Sequence, residues 1–146
     1  MTTTQHTEIE TSSRLAYVTA GKATVTLQSN ATGTRFTYRV ESPRGELDAA
    51  IRFVRVLTGS DNEADYSYLG TMHRQADGAW VYRHGRKSRI GADAPSAKAF
   101  AWFARNADSD RVAVHHAGRC GRCNRVLTVP ESLHTGLGPI CAGRAA

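Results

Sequence analysis

Cysteine occurs three times in this 146-residue chain, as Cys120-Gly121-Arg122-Cys123 and then Cys141. A Cys-x2-Cys pair lets two thiolates reach one ion from a tight turn, and a third cysteine about 15 to 20 residues later closes the loop, the ligand pattern of tetrahedral zinc. A closed site needs a fourth ligand, and three histidines compete for that place. His116 is favoured, because Ala117-Gly118-Arg119 separates it from Cys120 and a glycine in that linker lets it fold back on the ion. His115 lies one residue earlier on an expected strand and so points to the opposite face. His134 lies in the spacer, in an expected helical turn, Pro130-Glu131-Ser132-Leu133-His134. The expected site is one structural Zn2+ held by Cys120, Cys123, Cys141 and His116.

Two glycines fit that geometry. Gly121 permits the positive φ that a two-thiolate turn often needs, and Gly138-Pro139 supplies a stiff bend before Cys141. A redox reading fits less well: a redox Cys-x2-Cys usually opens a helix in a βαβ unit, and Cys141 would have no part in it. A catalytic zinc would keep an open position beside a base, and Glu131 is the only acid in this segment. Nor does the chain contain a P-loop, a nucleophile elbow, His-Glu-x-x-His or recognisable paired carboxylates. Asp61, Glu63 and Asp65 alternate in a loop in a way that suits a divalent ion, but a solvated loop explains them as well. The expectation is a protein that is not an enzyme.

The formal net charge is +6. Five arginines (Arg111, Arg119, Arg122, Arg125 and Arg144) face Glu131 alone after residue 110, so +4 of that charge lies in the last quarter of the chain. A second basic cluster runs Arg83-His84-Gly85-Arg86-Lys87-Ser88-Arg89 with no acid inside it. Phosphate contacts from Arg83, Arg86, Lys87, Arg89, Arg119, Arg122 and Arg125 would give affinity for nucleic acid. The nearby aromatics Tyr66, Tyr68, Trp80 and Tyr82 would stack bases, if they are not core residues. No apolar run approaches the roughly 18 residues of a membrane helix, and Met1 to Ser13 has neither a basic start nor an apolar stretch. A cytoplasmic protein is expected, with no membrane partner.

The elements that must position these residues follow from hydrophobic period. Lys22 to Gln28 and Arg35 to Glu41 alternate apolar and polar residues, and Ser29 to Gly33 links them as a hairpin. Ala50 to Leu57, Asp65 to Met72 and Ala79 to Arg83 supply three more strands, with Trp80 and Tyr82 on one face. From Pro95 to Ala107 the period becomes helical; Pro95 suits the first turn, and Asp93 is a candidate N-cap. Arg111 to His115 is a further short strand leading into the cysteines. The expected fold class is α+β: an antiparallel sheet of about five strands, one packing helix and a small C-terminal zinc-bound module. Its parts are a disordered lead-in over 1–13, sheet plus helix over 14–110, and the metal module over 111–146.

The string Cys120-Gly121-Arg122-Cys123 through Leu127-Thr128-Val129-Pro130-Glu131-Ser132 to Gly136-Leu137-Gly138-Pro139-Ile140-Cys141 resembles a short zinc-ribbon-like module. Such modules recur at the ends of uncharacterised bacteriophage and mobile-element proteins, a domain-of-unknown-function family. The resemblance covers about 30 residues, and a histidine just before the first cysteine is common in it, which adds weight to His116. Leu137 stands where a β-branched residue is usual. Val56 to Glu63 and Asp65 to Gly70 also resemble what precedes the module in small phage proteins. The resemblance implies a phage setting rather than an activity. Two non-catalytic functions fit it: a basic protein engaging nucleic acid or a host nucleoprotein complex, or a protein-protein inhibitor of a host defence system such as an RNA-guided nuclease.

Overall fold

The computed structural model of the chain describes residues 7–61, 64–127 and 130–138. Six strands form one sheet: β1 (Lys22–Ser29), β2 (Arg35–Glu41), β3 (Ile51–Leu57), β4 (Tyr66–Arg74), β5 (Trp80–His84) and β6 (Val112–His116). Every pairing is antiparallel, in the spatial order β5-β4-β3-β2-β1-β6. The first five strands are the expected meander. The sheet has six strands rather than about five because the short strand before the cysteines pairs with the outer side of β1, Leu27 opposite Val114.

Strict alternation gives this sheet two unlike faces. Ala23, Val25, Leu27, Tyr38, Val40, Val54, Val56, Met72, Val112 and Val114 are all buried and form the closed face. Between Val54 and Arg55 the register with β4 shifts, passing from Gly70 to Tyr68, and the skipped Leu69 is buried. The main helix, α2 (Pro95–Arg105), covers the closed face with Ala97, Phe100 and Phe103. Phe100 lies 4.9 Å from Tyr38, 5.2 Å from Tyr82 and 6.0 Å from Phe103, ring centre to ring centre. Such tilted contacts add to the area the rings bury. Pro95 opens the helix as expected. The N-cap is Ala94, however, with no side-chain cap, and Asp93 does not fill that place.

Two short helices complete the described structure: α1 (Arg14–Val18) and α3 (Pro130–Thr135). In the expected lead-in, over 7–13, Glu8 bridges His115, Ile9 is buried with its N–H on the Val114 carbonyl, and Thr11–Ser13 forms a 3-10 turn. The buried Ile9 side chain and backbone bonds from Glu10 to His134 and from His116 to Thr7 hold this stretch against β6 and α3. Residues 1–6 lie outside the described residues.

Two arginines are buried among backbone carbonyls. Arg14 donates to Ile9, Ala107 and Ser109, and Arg52 donates to Thr19, Leu47, Ala49 and Ile51. A guanidinium has five N–H donors in a fixed fork, so it can tie several loop ends to one point.

Candidate nucleic-acid interface and cysteine turn

Residues 118–127 form a tight reversal. Gly118 takes φ 82° and Asn124 φ 67°, a short antiparallel bridge joins Arg119 to Val126, and the Leu127 N–H meets the Gly118 carbonyl. Inside it the Cys120 N–H donates to Arg125 and the Asn124 N–H to Cys120. Cys120 is buried and Cys123 exposed. The Cys120 sulfur accepts N–H groups from Arg122 at 3.4 Å and Gly138 at 3.3 Å. Burial pushes this thiol up, but the N–H groups of Gly138, Cys123 and Arg122 and the Cys123 side chain outweigh it and bring it down to about 7. Backbone dipoles aimed at sulfur favour the thiolate, the form that binds metal.

The turn is fastened to the sheet through Tyr17. Its hydroxyl donates to the Thr24 carbonyl at 2.6 Å, and its ring lies where a Cβ on Gly121 or Gly136 would have to go. The expected reason for Gly121 is thereby corrected: the glycine makes room for a ring, and positive φ falls instead at Gly118 and Asn124. The Gly121 carbonyl also accepts the Lys22 N–H at 2.7 Å, tying the turn to the start of β1.

The fourth-ligand expectation meets a geometric obstacle. His116 is buried on the closed side of β6, where its Nδ1 accepts the Gly118 N–H at 2.8 Å and its Nε2 lies 2.8 Å from the Leu133 carbonyl. A neutral imidazole with its proton on Nε2 satisfies both contacts and leaves no lone pair for a metal. Burial lowers its pKa, which the Leu133 carbonyl opposes, and so favours that neutral form. In this arrangement His116 ties β6 to α3. His115 faces the open side with Nδ1 on the Thr7 hydroxyl, and His134 is exposed. Among the described residues no group of three or more His, Cys, Asp or Glu side chains is placed to hold a metal. Cys141 lies outside the described residues. Cys120 and Cys123 come together in the turn, and both ring nitrogens of His116 are engaged by backbone groups.

Asp61 and Asp65 are occupied with their own loop: Asp65 accepts the Asp61 N–H, and Asp61 accepts that of Ala64. Glu63 lies outside the described residues.

The two expected basic clusters stand at opposite ends of the strand order. Arg83 lies on edge strand β5, and Arg86, Lys87 and Arg89 are exposed in the loop after it. Arg119, Arg122 and Arg125 lie in the cysteine turn beside β1, Arg119 donating to the Asn124 carbonyl. The aromatics divide between the faces. Tyr82 packs on Phe100, and Trp80 lies under Arg52 and Arg74 at 5.0 and 5.6 Å, so both belong to the closed face. Tyr66 and Tyr68 face the open side, opposite Leu57 and Arg55, with Arg39 4.3 Å above the Tyr66 ring.

The strands between the two clusters carry basic residues that reading the runs of charge does not find. Alternation puts Lys22, Arg35, Arg39 and Arg55 on the open face together with Arg83 of the first cluster, and Glu41 is the one strand carboxylate there. Arg39 and Arg55 stand directly opposite each other in the β2–β3 register, and Glu41 reaches Arg55 at 3.4 Å. The signal for this face was the solvent-side parity of each strand, collected across strands and not along the chain.

A cleft of about 680 Å³ opens on this face across β1, β2 and β3, lined by Lys22, Arg39, Arg44, Phe53, Arg55 and Asn124, with Glu41 also on its wall. The cysteine turn thus contributes one wall of the cleft on the open sheet face.

Residues 111–146 match DUF6011, a family of unknown function. The DUF6011 match takes in β6, the cysteine turn and α3, about a quarter of the chain. It supports an uncharacterised domain family for that segment and leaves the sheet up to residue 110 outside the match. No curated protein and no solved structure matches the chain. No helix among the described residues is long and apolar enough to cross a membrane.

Proposed function

We propose that this chain is a non-catalytic nucleic-acid-binding protein whose contact surface is the open face of the sheet. The observation that carries this reading is the crowding of cations there, above all Arg39 directly opposite Arg55. Like charges across a strand pair work against the sheet, by roughly the few tenths of a kcal/mol that cross-strand pairs contribute. A polyanion turns that repulsion into binding energy, since each neutralised phosphate releases condensed counterions. The half-buried Tyr66 and Tyr68 on the same face supply rings beside those charges.

In the same reading a zinc ion holds the cysteine turn through Cys120 and Cys123, a site that would fold a short tail and fix one wall of the cleft. The setting expected from the resemblance, a phage or mobile-element protein acting in the cytoplasm of its host, belongs to this proposal.

The test is binding of the full chain to a labelled 20-mer as salt is raised from about 50 to 200 mM. Neutralisation of about three or four phosphates on a single strand gives a slope of log K against log salt near −2 to −3. Arg39→Glu is expected to weaken binding more than Arg86→Glu, because Arg39 is on the face and Arg86 is beyond its edge. Absence of binding to single- and double-stranded DNA and RNA at 50 mM salt ends this reading.

A further inference from the structure

Among the described residues only two that are not glycine hold a positive φ, Arg44 at 50° and Asn124 at 67°, and both line the cleft on the open face. They come from unrelated parts of the chain, one from the 3-10 turn after β2 and the other from the cysteine turn. A left-handed backbone at an arginine is sparsely populated and costs energy, asparagine tolerates it more readily, and such residues gather at functional sites. Their meeting at one cleft is an observation separate from the charge of the face. A third feature is Phe53. It stands on the solvent side of β3, between Glu41 and Thr71 in register, half-buried. No other aromatic ring stacks on it among the described residues. An apolar ring walled by Lys22, Arg39, Arg44 and Arg55 against one carboxylate suits a ligand that is flat and apolar in one part and anionic in another. The cleft volume lies within the ordinary range of small-ligand sites, roughly 300 to 1,000 Å³.

Resting on the nucleic-acid reading above, we propose that the cleft takes a nucleotide of a single-stranded polynucleotide, its base on the Phe53 ring and its phosphates among Lys22, Arg44 and Arg55. A duplex keeps its bases stacked inside, where Phe53 cannot reach their faces, whereas a single strand offers them. Duplex reading by a helix in the major groove finds little support here: the exposed charges of α2 are Lys98 and Arg105 alone, and Phe100 and Phe103 are buried. Single-stranded DNA and RNA share the chemistry that the cleft recognises, and the experiment separates them.

Fluorescence anisotropy of the full chain at about 50 mM salt compares a 12-nucleotide single strand of DNA, the same sequence in RNA, and the 12-base-pair duplex. Both single strands are expected to bind at least tenfold tighter than the duplex, and a tenfold gap between them assigns the tighter one as the ligand. Phe53→Ala is expected to weaken the single strand by about 5- to 150-fold, the span measured for one stacked base, and to leave duplex binding unchanged. Phe53→Leu keeps apolar bulk on β3 without a π-face and is expected to lose nearly as much. Arg44→Gly removes a cation and the strained backbone together; thermal stability is expected to hold or rise while the salt slope falls by about 1. Wild-type-like binding by Phe53→Leu, or a duplex that binds as tightly as the single strands, overturns the cleft assignment and leaves the broader nucleic-acid reading standing. If no polynucleotide binds, both fall.

Discussion

Arg52 and Arg55 lie three residues apart on β3, yet only one of them is part of the fold's interior. Arg52 faces the closed side, is buried, and gives its N–H groups to four carbonyls; Arg55 faces the open side, half exposed, beside Glu41. The same division runs through the whole sheet. On the closed side Tyr38, Phe100 and Phe103 interlock with no exposed surface, while on the open side Phe53, Tyr66 and Tyr68 stay half-buried among cations. The comparison separates residues locked into the interior from residues held only at the surface. An interior arginine in a web of carbonyls is structural. On the open face Arg55 pairs with Glu41 and Arg39 lies over the Tyr66 ring, yet the two guanidinium groups stand directly opposite each other.

The largest expected effect breaks the closed face. Phe100→Ala removes the ring on which Tyr38, Tyr82 and Phe103 all pack, and is expected to cost about 4 kcal/mol in urea unfolding, as a large aromatic cavity does. Phe53→Ala on the open face is expected to cost about 1 kcal/mol or less, since a half-buried ring gives up less area. Equal losses at the two sites would show that the open face is held by packing after all.

The arginine pair sharpens the same contrast with one chemistry. Arg52→Met fills similar volume but leaves the carbonyls of Thr19, Leu47, Ala49 and Ile51 without their donor, and is expected to cost about 3 kcal/mol. Arg55→Met is expected to change stability by less than about 0.5 kcal/mol, because an exposed ion pair contributes little, and to lower the salt slope of nucleic-acid binding by about 1. Chemical denaturation and the salt titration read these separately.

Much of this architecture was legible because the strands alternate cleanly. Arg35 to Glu41 has the same bounds in structure as in pattern, and the other strand bounds moved by one or two residues. Alternation names two sets of residues on a strand but not which set meets solvent, and the β3 solvent side, with Ile51, Phe53 and Leu57, is as apolar as its core side. Only the register across six strands shows Arg39 beside Arg55. The cleft was hidden for the same reason, since Lys22, Arg44, Phe53 and Asn124 meet through pairing and not through spacing. In the cysteine turn, residue types pointed to thiolate chemistry at Cys120 and Cys123. What spacing could not reveal was that Tyr17, a hundred residues earlier, requires Gly121 to be small.

His116 gives a smaller stability effect than Phe100 or Arg52 and the most direct check on the cysteine turn. The ligand reading and the structural reading assign the same ring to different partners. As a tie, it satisfies the Gly118 N–H and meets the Leu133 carbonyl, seventeen residues away in α3, from inside the core. His116→Ala strands both groups and is expected to cost about 2 kcal/mol. Stability alone would not separate the roles, because loss of a ligand also destabilises. Metal content does. Zinc per chain, measured on purified folded protein, is expected to stay at the wild-type level in His116→Ala and to fall in Cys123→Ser, since Cys123 neighbours the Cys120 sulfur and His116 has no lone pair to spare. A His116→Ala protein that loses its zinc along with Cys123→Ser would return the histidine to the metal, and would mean that its ring turns away from Leu133 when the ion is bound.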